Sequence, residues 1–565
     1  MAKKKKLPYW DRRAVDQDIK VHDELNVIED KVMRFYQKAQ SYLTDEVKKI
    51  YRRYLTKSEM SEDEVKKVLN MSVDPANIVE LQSIVKSVKD ASIKKQAQSY
   101  LTGMAVKSRI TRLEDLKAKS YLVSKQIADV QLSSSTDYYI DVIKEAYNQA
   151  SAEAIIGKTE SALKLYNDGK YPTYVFDDDK AFIELSDAET GKVHKRIEVK
   201  KDEAIPEFKE MSTKEVRNVL DTDWQGSNYS KRIWSDTDLL AKKLEELFTI
   251  EAMTGMSERD MVKEIQKVFD VSRGVARRLI RTEANYMAGQ GKLKGWLAQG
   301  VEYYVIVATL DLRTSKICQD QDGKRYKVSE AKVGINFPPF HPWCRSVVRA
   351  WFNDKTLSGK RFANDPITGK QIEISHADSY KKWEQMLIDQ HGKEDLKLAR
   401  KKVKNFNADL AQLNRYKSVI GTENIPKTLD DFQDMKYNED KNYNELKSLY
   451  RDVKWQKEAF SNSYTKSENK VSFTSVPNSV ADELLSDGIV KQRRFYGKTG
   501  QPRFDIDYTD HGNPKHHKIV PHVHDWTSYE RKTGQLTTKR EKNLRELSTA
   551  EKIVEDWSEK NGNDG

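Results

Sequence analysis

The run from Gly334 to Phe352, GINFPPFHPWCRSVVRAWF, decides how the middle of this chain is read. Pro338, Pro339 and Pro342 fix backbone torsions around His341, so the segment reads as a rigid turn that positions His341 and Cys344. Cys318 lies twenty-six residues before Cys344, within TLDLRTSKICQDQDGKRY at 309–326. The preceding VEYYVIVATLD is rich in β-branched and aromatic residues and predicts a strand. Cys318, His341 and Cys344 are three soft ligands, whereas a closed structural zinc site needs four, and only Asp320 or Asp322 offers a fourth. The expectation is a structural motif without metal, with both thiols buried and His341 hydrogen-bonding across the turn. Zinc at these three residues is the alternative.

Outward from this motif the upstream chain reads as helix. In NVIEDKVMRFYQKAQSYL the apolar residues Val27, Ile28, Val32, Phe35 and Tyr36 recur every three to four positions, and this spacing continues to about Leu132. Ser58 or Ser61 is expected to cap a following helix. Near Asp168 the pattern changes: KYPTYVFDD and AFIELSDAETGKVHKRIEVK alternate around Glu189-Thr190-Gly191 and predict a hairpin. Helices return, with Gly255 as a stop, Ser257 and Asp260 as a start, and Ser272 expected to open another. Downstream, a Lys-, Asp-, Glu- and Asn-rich stretch to about Phe460 reads as a helical spacer with little material for a core. From about Asn462 turn signals multiply, suiting a small α+β domain that ends in an amphipathic helix over TTKREKNLRELSTAEKIVEDW.

The 565 residues are too many for one core, so several domains are expected. Charged residues make up 33% and mean hydropathy is −0.79, and no stretch approaches the roughly 20 apolar residues of a membrane span. The sequence therefore predicts a soluble protein with no membrane partner. MAKKKKLPYW leads into no apolar core, so a signal peptide is not expected. Two cysteines exclude a disulfide-dense scaffold and fit a reducing compartment. Net charge is +11, but between Asp487 and Arg545 there are 13 Lys and Arg against 7 Asp and Glu. Such a local excess favours an anionic substrate, a solvated basic face being the plainer reading.

That basic segment contains FDIDYTDHGNPKHHKIVPHVHDW, Phe504 to Trp526, with five of the ten histidines. Imidazole titrates near neutrality and serves as acid, base or metal ligand. Two such groups beside a cation can move protons at a phosphate ester without a metal. His522 and His524 are two apart and share one side of a strand. His511 sits in the turn DHGNP. The candidate catalytic residues are His511, His522, His524 and Asp507, the last orienting an imidazole together with Asp505. Arg493, Arg494, Arg503 and Lys515 are the candidate phosphate contacts. Two alternatives stand beside this: a divalent metal held by the His/Asp cluster, and a non-catalytic nucleic-acid-binding or packing surface.

Four motifs, DWQGSNYSKRIW, LIRTEANYMAGQG, TLDLRTSKIC and NFPPFHPWCRS, resemble in this order and spacing the head morphogenesis domain of the Mu gpF-like minor head proteins of tailed phages. The resemblance covers about Val142 to Phe352. It implies a minor capsid component, present in few copies, associated with the portal and sometimes carried into the host with the DNA. Many members have Cys where this chain has Ser346, which weakens a shared metal site. Nothing in Arg281, Thr282, Glu283, Asp311 or Arg313 requires catalysis, and the Arg, Glu and Asp among them are expected to form structural ion pairs. From about Tyr464 to Trp557, VPNSVADELLSDGIVKQRRFYGKTGQPRFDIDYTDHGNPKHHKIVPHVHDW resembles the polymorphic toxin type 50 domain, which implies a ribonuclease; metal-free RNA cleavage needs a base for the 2′-OH, an acid for the leaving 5′ oxygen and a cation for the phosphorane, the roles those candidates suit.

The expected fold is multidomain: a helical N-terminal region at 1–141, an α+β head morphogenesis domain at 142–355, a helical spacer at 356–460 and a small α+β toxin-like domain at 461–565. Expected partners are portal and capsid proteins, RNA as substrate, phage DNA as a second candidate, and an immunity protein. No cofactor is expected. The expected location is the virion, at the capsid interior or portal vertex, and the host cytoplasm during assembly and after ejection. The contrasting expectation is a purely structural head protein whose C-terminal domain is inert or binds the genome.

Overall fold

The computed structural model describes residues 9–55, 61–105, 110–158, 170–177, 180–187, 192–198, 211–352, 360–375, 378–438, 440–510, 519–531 and 536–561. The chain forms two compact units, Met1–Gly392 and Lys393–Gly565. Both combine helices with small sheets, so the molecule is multidomain and mixed α and β, as the sequence predicts. No described helix is long and apolar enough to cross a membrane.

In the first unit the described helices before the first sheet are α1 (Tyr9–Tyr54), α2 (Glu62–Leu69), α3 (Pro75–Ser87), α4 (Ala91–Ala105) and α5 (Arg112–Lys158). Ser61 starts α2 through a reciprocal capping box with Glu64. The antiparallel meander β1 (Lys170–Asp177), β2 (Lys180–Asp187) and β3 (Val193–Glu198) follows. The turn expected at 189–191 lies outside the described residues. Then come α6 (Thr213–Asp221), α7 (Tyr229–Leu247), α8 (Ile250–Gly255) and α9 (Glu258–Ala298). Gly255 ends α8, and the Ser257 hydroxyl accepts from the Asp260 N–H at 3.1 Å to open α9. Ser272 opens no helix: α9 runs unbroken through it. A lone Gly274 costs only about 1 kcal/mol, and packing of Phe269, Ala276 and Ile280 on either side holds the helix together.

One core joins Leu43 and Val47 of α1, Tyr139 and Ile143 of α5, Leu240 and Leu244 of α7, and Phe269 and Ile280 of α9. Helix α5 crosses residue 142, so the helices before that position and the motif-bearing helices after it share this core. A second core forms where α5 and α9 meet a small antiparallel sheet of order β5 (Arg325–Lys327), β4 (Tyr303–Val307), β6 (Val347–Trp351). The short α10 (Lys316–Gln321) lies between β4 and β5 in the chain. Trp296 and Tyr304 stack at 6.1 Å within this core. The hairpin β7 (Lys360–Asn364) and β8 (Gln371–Ser375) and helix α11 (Tyr380–His391) complete the unit.

The second unit begins with α12 (Lys393–Ile420), α13 (Leu429–Asn438) and α14 (Asp440–Asn462). A six-stranded sheet follows: β9 (Tyr464–Ser467), β10 (Val480–Leu484), β11 (Val490–Tyr496), β12 (Pro502–Asp507), β13 (His522–Glu530) and β14 (Leu536–Arg540), adjacent in that order. Only the β9–β10 pair is parallel. Phe495, Phe504, Ile506 and Val523 form an apolar face that packs on Tyr416, Phe432, Val453 and Val554. Helices of the expected spacer are thus part of this core. The C-terminal helix is shorter than the sequence suggested, since Leu536–Arg540 is a strand and only α15 (Thr549–Asn561) is helical. Its start is set by Ser548 and Glu551, each bonding the other's backbone N–H at 3.3 and 2.7 Å.

Candidate functional site

The four motifs that carry the head-protein resemblance meet in the first unit around α9. The carboxylate of Glu283 is buried. It accepts from Trp224 Nε1 at 2.9 Å and pairs with Arg232, both from the first motif. Burial pushes its pKa up, against the pull of Arg232. One residue before it, Thr282 Oγ1 accepts from the Trp343 N–H at 3.1 Å, and two residues after it, Asn285 Nδ2 donates to the Cys344 carbonyl at 2.8 Å. Helix α9 therefore fixes the fourth motif directly. The third is tied to the fourth by Asp311, whose carboxylate takes both Arg345 Nη atoms at 2.5 and 2.8 Å. Arg281 bonds Glu29 and Asn26 of α1 at 2.8 and 3.0 Å. Ion pairing is thus what these charges do here, although Arg313 contributes only its backbone N–H to Asp311.

The same packing brings Cys318, His341 and Cys344 together. Residues 341–344 form a turn closed by Cys344 N–H to the His341 carbonyl at 3.1 Å. Pro342 stands second, and Trp343 takes a left-handed φ of 64°, the arrangement of a type II turn with a bulky residue where Gly is usual. Cys318 Sγ is 3.7 Å from Cys344 Sγ and 3.2 Å from His341 Nε2. The hydrogen bond from Cys344, followed by those of His341 and Ser315, holds the Cys318 thiol well below its ordinary range, and the same bond to Cys318 raises Cys344. The two aspartates considered as a fourth ligand are elsewhere. Asp322 is buried and accepts from Arg361 at 2.8 Å, Ala308 N at 2.7 Å and Tyr380 N at 2.7 Å. Asp320 pairs with Lys316 at 3.1 Å.

In the second unit the strand register collects polar residues on the sheet face opposite the apolar one. Gln492 pairs with Asp507, and Asp507 with His522; Arg494 pairs with Asp505, and Asp505 with His524. Directly opposed residues share a face, so these six side chains lie together. Asp507, His522 and His524 are all buried. Asp507 Oδ2 is 3.6 Å from His522 Nε2 and 3.7 Å from His524 Nε2. Each imidazole is oriented from behind: His522 Nδ1 donates to the Ile519 carbonyl at 2.8 Å and His524 Nδ1 to the Glu541 carbonyl at 3.0 Å. Both Nε2 atoms therefore face the carboxylate. Burial first, and Arg540 second, lower the pKa of His524.

The expected phosphate contacts fare differently. Arg493 is buried on the apolar face and held by Asp482 at 2.8 and 2.9 Å, Glu555 at 2.8 Å and Ser558 at 2.9 Å. Arg494 is buried against Asp505 at 2.7 and 2.9 Å. Both guanidiniums are committed to carboxylates because a buried charge needs a partner, and neither presents itself to a phosphate. Arg503 is exposed, with its guanidinium 4.1 Å from the centre of the Trp455 ring. His511 and Lys515 lie outside the described residues. Sequence reading missed Arg540, which bonds Asp507 and lies 3.2 Å from Asp505 while a third of its side chain stays exposed. It also missed Gln492, which donates to Asp507 at 2.6 Å, and Trp526, which donates to Asp505 at 3.0 Å. Arg540 lies opposite Trp526 in the β13–β14 register, and the sequence carried no signal for that pairing.

No curated protein and no solved structure matches the chain. Residues 242–349 match the family model described as Phage Mu protein F like protein, a span from α7 to β6 that holds Glu283, Cys318, His341 and Cys344. The chain is thus similar to Mu F-like proteins over the segment where its motifs converge, and this supports a phage head protein.

Proposed function

We propose that this chain is a minor head protein of a tailed phage, associated with the portal, whose second unit cleaves RNA. The head assignment is supported by the family match and by the way Thr282 and Asn285 tie matched motifs together, while Glu283 joins them to Trp224 of the motif just before the match. The cleavage reading is carried by one observation, the two imidazoles that turn Nε2 toward Asp507 on a sheet face that also holds Arg540. His524 is the base in this reading, because its lowered pKa keeps it neutral and its Nδ1–H is already engaged. His522 is the acid, facing Asp507, and Arg540 neutralises the phosphorane. The rings are closed to solvent, so the partly exposed Arg540 marks the side from which RNA approaches.

The test expresses Lys393–Gly565, which has its own apolar core, in bacteria beside His522→Ala, His524→Ala and Asp507→Asn. Growth arrest with RNA loss, abolished by the substitutions, supports the reading. Harmless accumulation of folded protein overturns it and leaves a structural head protein with an inert or genome-binding unit. RNA cleavage in vitro that stops with a chelator would reassign the three residues as ligands of a divalent ion.

A further inference from the structure

We propose that Cys318, His341 and Cys344 bind a zinc ion that ties the His341–Cys344 turn to the start of α10. A tetrahedral ion with Zn–S of ~2.3 Å and Zn–N of ~2.0–2.1 Å sets its sulfurs about 3.8 Å apart and sulfur and nitrogen about 3.5 Å apart. Here the sulfurs are 3.7 Å apart, Cys318 Sγ and His341 Nε2 are 3.2 Å apart, and all three ligand atoms lie within 4.8 Å of one another. The two distances from Cys318 are thus within a few tenths of an ångström of the tetrahedral values.

The imidazole is oriented as a ligand requires. His341 Nδ1 faces the Pro342 carbonyl at 2.7 Å, and a carbonyl only accepts, so the ring proton sits on Nδ1 and Nε2 turns its lone pair toward the sulfurs. Two thiolates and an imidazole select zinc or another soft ion over magnesium or calcium. Two thiolates neutralise a dication, so the nearby Arg345, already paired with Asp311, imposes no unbalanced charge.

The fourth position is open. A cavity of about 20 Å³ adjoins the cluster, lined by Ser315, Cys318, His341 and Ser346 among others, and about 10–15 Å³ suffices for one water. Ser315 Oγ, 2.8 Å from His341 Nε2, stands where it can hydrogen-bond such a water. The sequence offered only Asp320 or Asp322 as a fourth ligand and pointed away from metal; both aspartates are engaged elsewhere, and three converging ligands with room for a water remove the need for either. The His/Asp cluster of the second unit is less suited, because Arg540 bonds the Asp507 oxygen that faces the two rings.

The full-length chain tests this. Purified under reducing conditions, it is expected to hold about one zinc per chain. After zinc removal, Co²⁺ should restore a near-ultraviolet thiolate-to-cobalt charge-transfer band, which the sulfur-free His/Asp cluster cannot give. Cys318→Ser and Cys344→Ser are each expected to abolish the band with far-ultraviolet circular dichroism unchanged. Ser346→Cys, adding a sulfur beside the cavity, should intensify it. A wild-type chain that retains no zinc, shows no such band with Co²⁺, and whose thiols react with a disulfide reagent equally fast with and without zinc overturns the proposal.

Discussion

Gly295 on α9 lies so close to Tyr147 on α5 that a Cβ added to it would stand 2.6 Å from the Tyr147 carbonyl oxygen and 2.9 Å from the Ala150 methyl. Gly291, one turn earlier, meets Ile143 and Ala146 in the same way. The two helices thus touch backbone to backbone, which only small residues four apart permit. Gly295→Ala should force the helices apart and cost about 1–3 kcal/mol, the usual range for overpacking. Gly274 on the same helix has nothing within 4 Å of a new Cβ, so Gly274→Ala should stabilise by about 0.5–1 kcal/mol. Urea unfolding of the full chain reads both, and shifts of the same sign would refute the close crossing.

Glu283 is the hinge between two motifs, and its side chain is 1% exposed. Glu283→Ala would leave Arg232 and Trp224 Nε1 without their carboxylate. Breaking a buried pair from one side costs about 3–5 kcal/mol. Glu283→Gln keeps an acceptor for Trp224 and removes the charge, so it should cost less than the alanine. Equal, small losses from both, seen as unchanged urea midpoints, would mean the pair does not hold the core.

These cases show what the sequence made legible. Helix existence followed from apolar spacing, and caps such as Ser61 and Ser257 follow from chemistry local to a few residues. The closeness of His522, His524 and Asp507 was half visible, since residues two apart on a strand share a side. Which strand lies beside which was not, because pairing depends on register between segments far apart in sequence. Arg540 was therefore missed, and Arg493 and Arg494, adjacent in sequence, were assigned one role although a strand sends them to opposite faces. The Lys393–Asn462 helices looked like a spacer because their apolar residues are sparse; Tyr416, Phe432 and Val453 acquire a core only from the sheet that follows.

That dependence predicts where the chain can be cut. A fragment of residues 461–565 would expose Phe495, Phe504, Ile506 and Val523, whose covering side chains Tyr416, Phe432 and Val453 lie before it. Lys393–Gly565 retains them and should unfold cooperatively. The shorter fragment should aggregate or show no cooperative transition, as one exposed apolar sheet face predicts. Equal cooperativity of the two fragments in thermal circular dichroism would show the helices to be dispensable.

The pH dependence of the second unit isolates His524. Burial, and then Arg540, lower its pKa below the ordinary 6.5, while Asp505 and Asp507 pull the other way without winning. The unfolded chain therefore binds more protons than the folded one between the lowered value and about 6.5. Stability from this residue is fully present above about pH 6.5 and is lost as pH falls through the folded-state value. Urea midpoints of Lys393–Gly565 should accordingly fall from pH 7 to pH 5, and His524→Gln should flatten that slope. The same neutral imidazole serves as base, so RNA cleavage at saturating substrate should hold its rate through pH 6.5 and decline as pH falls through the lowered folded-state value. A midpoint that rises on acidification, or a slope untouched by His524→Gln, would mean that His524 is charged in the folded unit and removes it from the role of base.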